Sequence, residues 1–142
     1  MTELQELQEL ASLARRSIEP GLQGNGSIGP KSAGACLHAC LVMVILLKRF
    51  GRGVPVVRGG SDGSGAIDTA GQWCGHYWVV VRMPGGSEFV VDITADQFGY
   101  EPVVVMSIGA ARDRYREGPQ AEVDAVFVEL AVECGCEDLV LA

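Results

Sequence analysis

The stretch HYWVVVRMPGGSEFVVDI, residues 76–93, decides how this chain is built. Two runs rich in valine and aromatic residues, 77–82 and 88–93, flank Met83-Pro84-Gly85-Gly86-Ser87. β-Branched and aromatic side chains suit a pleated surface, and a short glycine-bearing loop joins antiparallel neighbours, so the stretch reads as a β-hairpin. Facing residues in such a hairpin have numbers with a constant sum, and side chains alternate between faces. A loop of residues 83–85 places His76 opposite Asp92. A loop of residues 84–86 places Trp78 opposite Asp92, with His76 on the diagonal. Either register puts His76, Trp78, Val80, Glu88, Val90 and Asp92 on one face, and Tyr77, Val79, Val81, Phe89, Val91 and Ile93 on the other. The second set is a core face. The first holds an imidazole and a carboxylate within reach of each other and reads as a functional face.

Upstream of the hairpin, Cys36–Phe50 is apolar on nearly every side until Lys48-Arg49, with Gly51 as its C-cap. A helix greasy all round belongs in the middle of a domain. Residues 54–58 follow as a short strand. Near the N-terminus, Leu4, Leu7, Leu10, Ala11 and Ala14 recur at three- and four-residue steps with glutamates between them. That predicts an amphipathic helix over residues 2–16, with Arg15-Arg16 at the end the helix dipole favours for cations and Pro20 closing it off. Residues 21–34 and 59–75 are glycine-rich and are expected to be loops. Downstream, residues 102–107 read as a strand, 112–117 as a turn, and 123–133 fit either a strand or a helix. The order of helix, helix, then several strands indicates an α+β fold, with helices packed on an antiparallel sheet. The 142 residues form one domain, 1–142, long enough to bury a sizeable core.

Composition narrows the function. Hydrophobic residues make up 48% and charged ones 20%, a globular balance. A net charge of −7 with no basic stripe argues against nucleic acid and anionic lipid as partners. The first residues are acidic and amphipathic, unlike a secretory signal, and the longest apolar run is about half a membrane span. The five cysteines therefore read as reduced thiols in the cytoplasm, or in a protein delivered by a route without a cleaved signal peptide.

Cys36 stands where a glycine-rich stretch turns into a helix. Unpaired N–H groups and the positive end of the helix dipole favour a thiolate there and can receive an oxyanion. Cys40, one turn on, reads as a core thiol. The chain has only two histidines, and His38 lies about 200° around the helix from Cys36. His76 can reach Cys36 from the sheet, and Asp92 in the next strand can orient the ring. Asp96 is the competing acid, beyond the strand.

These residues resemble the transglutaminase-like branch of the papain-like cysteine enzymes. Gly34-Ala35-Cys36, the apolar helix, Gly51 and the segment Val54-Pro55-Val56-Val57-Arg58 are similar to that family's nucleophile region. His76-Tyr77-Trp78-Val79 resembles its His-x-Trp strand, and Val91-Asp92-Ile93-Thr94 its Asp-x-Thr strand. The match spans residues 34–98, under half the chain, and the size suits the small bacterial or phage-type members rather than the larger crosslinking ones. The resemblance implies a Cys36–His76–Asp92 triad in a thiol-dependent acyl-transfer enzyme, a hydrolase or acyltransferase acting on an amide or peptide bond. Peptidase, amidase and glutamine deamidase chemistry all fit, with a protein or peptide as substrate and no cofactor. The oxyanion donor is expected to be the Cys36 N–H plus an amide from Gln23, Asn25 or Gln72, with Trp78 flooring a substrate groove. Two other classes stand beside this one. A binding domain could keep the fold without the chemistry. A zinc domain could use Cys36, His38, Cys40, Cys74, His76, Cys134 and Cys136, but no pair has the Cys-x-x-Cys spacing of structural zinc sites, so no metal is expected. Both glycine-rich segments are expected to be mobile and to border one cleft.

Overall fold

The computed structural model describes residues 1–23, 35–61 and 63–141, the side chain of Gln23 excepted. Helix α1, Glu3–Gln23, begins with a reciprocal cap: Thr2 Oγ1 accepts the Gln5 N–H at 3.1 Å, and Gln5 Oε1 accepts the Thr2 N–H at 2.9 Å. Leu7, Ala11 and Ala14 are buried as the periodicity predicts, but the helix does not stop before Pro20. Ile18 and Leu22 continue the inward stripe, and Pro20 lies on the exposed side. There it removes the bond to the Arg16 carbonyl and crowds that carbonyl with its ring, and on the solvent side the carbonyl can tilt out to water.

Helix α2 is Cys36–Phe50, ending at Gly51. That glycine is extended (φ −95°, ψ 174°) rather than left-handed. Its role is close approach, since a Cβ there would lie 2.8 Å from the Leu47 carbonyl oxygen. The chain then runs through β1 (Val54–Gly60), β2 (Ala66–Thr69), β3 (Gln72–Cys74), β4 (His76–Arg82) and β5 (Glu88–Asp92). A 3-10 turn (Ala95–Phe98), β6 (Val104–Ser107), α3 (Ile108–Ala111), β7 (Tyr115–Arg116), α4 (Gln120–Glu133) and α5 (Glu137–Val140) complete it. The molecule is α+β with antiparallel sheets: a four-stranded one ordered β1-β4-β5-β6 and a three-stranded one ordered β3-β2-β7. Residues 123–133 are helical because Val123, Phe127, Leu130 and Ala131, one face of an α-helix, are buried together. Among the described residues no helix is long and apolar enough to cross a membrane.

The central hairpin takes the second of the two registers. Val80 faces Val90 and Arg82 faces Glu88, which puts Trp78 across from Asp92 one pair further along. The loop is Pro84-Gly85-Gly86, closed by Met83 N–H to Ser87 O at 2.8 Å, with Gly86 at φ 94° as the left-handed residue. Val79, Val81, Val91 and Ile93 pack under α1, α2 and α4.

Two expectations need correction here. Residues 59–75 are not simply a loop. Ala66 and Ile67 are buried, and Ala70 (φ 50°) and Gly71 (φ 84°) form a two-residue hairpin turn joining β2 to β3. Nor is the other face of β4 and β5 open. Trp78, Val80 and Val90 pack with Ile67, Ala111 and Tyr115 into a second core beneath the small sheet. The segment 24–34 lies outside the described residues.

Candidate active site

His76 opens β4 and Asp92 closes β5, so both stand at the same end of the hairpin, where the start of α2 also lies. Cys36 is the first residue of α2 and is half-buried. Its N-cap, Ala35, offers no side-chain hydrogen bond to the helix end. Cys36, Trp78, Asp92 and Thr94 line one small space under that end.

The imidazole of His76 is fixed from every side. Its Nε2 lies 2.8 Å from Asp92 Oδ2, and both residues are 1% exposed. The Gln97 amide nitrogen lies 3.1 Å from its Nδ1, placed to donate to that nitrogen when it carries no proton. Phe98 meets the ring edge-on at 4.7 Å between centroids, and Trp78 lies 6.0 Å away. Burial alone pushes the imidazole towards the neutral form. The charge and hydrogen bond of Asp92, then the hydrogen bond and charge of Cys36, outweigh it and raise the pKa from 6.5 to about 9.

Asp92 accepts three hydrogen bonds: the His76 contact and the Tyr115 hydroxyl at 2.8 Å, both on Oδ2, and the Thr94 N–H at 3.0 Å on Oδ1. Burial, and next the negative charge of Asp92, push the Tyr115 pKa up, so the hydroxyl stays a neutral donor. Asp96, the competing acid, is occupied elsewhere. Arg15, 5% exposed, grips it through two bonds of 2.9 and 3.0 Å and also donates to the Ile93 carbonyl at 2.8 Å. Arg15 is therefore a buried tie between α1 and the turn after β5, not a surface partner of the helix dipole.

No family model, characterised protein or solved structure matches this chain.

The three side chains named from the sequence are brought together. Cys40 lies behind Cys36, and burial, with the charges of Cys36 and Asp92, raises its pKa well above the ordinary thiol value. His38 is exposed. The oxyanion candidates fare differently. Gln72 is exposed on β3, Asn25 lies outside the described residues, and so does the side chain of Gln23. The amide beside the imidazole belongs to Gln97, which sequence reasoning missed although it follows Asp92 by only five residues. Trp78, expected to floor a groove, lines a space of about 320 Å³ with Val90, Ile108, Ala111, Arg112, Tyr115 and Glu117. It is 1% exposed, 4.9 Å from the Tyr115 ring, and its indole N–H is buried without a partner among the described residues. Among the described residues no three His, Cys, Asp or Glu side chains form a group that could hold a metal ion.

Proposed function

We propose that this protein is a thiol-dependent acyl-transfer enzyme with a papain-like, transglutaminase-like core, in which Cys36, His76 and Asp92 act on an amide or peptide bond. One observation carries the reading: a buried His76–Asp92 pair at 2.8 Å stands at the end of the hairpin where Cys36 opens a helix, with Cys36 and Asp92 lining the same small space. A thiol gains nucleophilicity when a neighbouring imidazole takes its proton, and an imidazole does so in the right orientation when a carboxylate holds its far nitrogen. In this scheme the Cys36 sulfur attacks the substrate carbonyl carbon, forming a C–S bond and an oxyanion near the α2 N-terminus. The oxyanion collapses, the C–N bond breaks, and His76 gives its proton to the leaving nitrogen. Water then attacks the thioester, giving its proton to His76. The C–S bond then breaks, the acid departs, and His76 returns its proton to the sulfur. An amine in place of water completes a transfer instead.

The substrate is a protein or peptide, and a peptidase, an amidase and a glutamine deamidase share this sequence of steps. Gln97 joins the Cys36 N–H as a candidate to steady the oxyanion, since its amide lies 3.1 Å from His76 Nδ1. Five free thiols suit a reducing compartment such as the cytoplasm.

The test uses an activated ester, p-nitrophenyl acetate, as acyl donor. A burst of nitrophenolate with acetylation mapped to Cys36 is expected in the wild type, and neither in Cys36→Ala. Acetylation spread over Cys74 and Cys134, or a burst that survives Cys36→Ala, would overturn the proposal.

A further inference from the structure

Tyr115 stands outside the three-residue set, yet its hydroxyl donates to the same Asp92 oxygen that holds the His76 ring, each contact being 2.8 Å. It arrives from β7, a strand of two residues that pairs with β2 through Ile67. Tyr115 is 7% exposed, and a buried hydroxyl needs an acceptor. A backbone carbonyl would satisfy that need, as it does for Tyr100, whose hydroxyl goes to the Asp68 carbonyl. Tyr115 is aimed instead at a carboxylate that already has two other donors, the His76 ring and the Thr94 N–H.

We propose that Tyr115 is a positioning residue, whose hydroxyl fixes the rotation of the Asp92 carboxylate and takes up part of the Oδ2 charge that would otherwise hold the imidazole. Its functional meaning rests on the Cys36–His76–Asp92 reading. Among the described residues the charged and titratable groups around the ring are few. Asp92 faces it from β5, and Cys36, with Cys40 behind, faces it from α2. Gln97 and Phe98 come from the 3-10 turn and carry no charge. Asp96 of that turn is engaged by Arg15, and Arg114 acts on the Tyr115 hydroxyl rather than on the ring. Tyr115 therefore acts on His76 through Asp92.

Tyr115→Phe removes the hydroxyl and adds no volume. The chain has two histidines, so NMR can follow the His76 ring across pH, with His38→Gln to assign it. In Tyr115→Phe the His76 midpoint should rise by about half a pH unit or more, because Oδ2 no longer divides its charge between two donors. Tyr100→Phe, which loses a hydroxyl bonded only to backbone, should leave it in place. A fluorotyrosine at position 115, a stronger donor of nearly the same shape, should move it down, and keeps the test open if the phenylalanine variant does not fold. A Tyr115→Phe curve at or below the wild type, or an equal rise in Tyr100→Phe, overturns the inference. Failure of the wild type to acylate at Cys36 would end the proposed enzyme while leaving these titrations readable. Normal acylation with coincident curves would remove Tyr115 alone.

Discussion

The two faces of the central hairpin are both buried, but they are buried differently. Under α1, α2 and α4 the face of Val79, Val81, Val91 and Ile93 meets hydrocarbon. Under the small sheet, Trp78, Val80 and Val90 meet Ile67, Ala111 and Tyr115, and at the rim of this second core His76 and Asp92 carry a hydrogen-bonded polar network. An apolar face needs only volume to be filled. A face with a buried imidazole and carboxylate also needs partners for those groups, and Thr94, Gln97 and Tyr115 stand beside them. The lesson is that a polar strand face is not evidence of an open one.

The sharpest way to break this comparison is to truncate one large side chain on each side. Trp78→Ala should cost about 3–5 kcal/mol and Leu47→Ala, at 0% exposure in the first core, about 2–5 kcal/mol in urea unfolding. Were the Trp78 face an open groove, its truncation would cost under about 1 kcal/mol.

The junction that holds the small sheet comes next. Gly118 N–H bonds Gly59 O at 3.0 Å, and a Cβ on Gly118 would lie 1.9 Å from the Ser64 carbonyl oxygen. Gly118→Ala must push backbone apart and should destabilise by about 1–3 kcal/mol. If β7 shifts with it, the Tyr115–Asp92 bond should weaken, read as a changed His76 titration. A fully stable Gly118→Ala would show that the two sheets are not locked at this point.

A smaller effect is expected from pH. The folded-state pKa of His76 is raised from 6.5 to about 9, mainly because Asp92 outweighs the burial that opposes it. A raised pKa contributes stability that is complete below pH 6.5 and drains away as pH climbs through about 9. Urea midpoints should therefore fall over that window in the wild type and fall less in His76→Gln. Equal slopes would place the imidazole's charge outside the folding balance.

Much of the first face was legible, because it obeys strong local rules. The valine- and aromatic-rich runs, the glycine-bearing loop between them and the unbroken apolar run of α2 each specify an element without tertiary help, though not which of two registers the loop takes. The shared face of His76 and Asp92 followed from strand parity, and the place of Cys36 at a helix start from the switch out of a glycine-rich stretch. The second face was not legible, for reasons that can be located. The β2–β3 turn uses Ala70-Gly71, which lacks the Asn-Gly or Asp-Gly signal of such turns, and β7 is too short to show any period. Pro20 looked like a stop because its side of the helix, exposed to solvent, is visible only once Leu22 is seen to be buried. Tyr115 reaches Asp92 from 23 residues away, and Gln97, though close to Asp92 in sequence, meets the His76 ring only through the turn after β5.

The central claim is that Cys36 is activated by His76, and the rate of its alkylation tests this most directly. With a small excess of iodoacetamide at pH 6, peptide mapping by mass spectrometry should find Cys36 modified well before Cys40, Cys74, Cys134 and Cys136. His76→Ala should slow that step by about tenfold or more, while leaving the exposed Cys134 unchanged. Labelling of Cys36 at the rate of Cys134, insensitive to His76, would contradict the account.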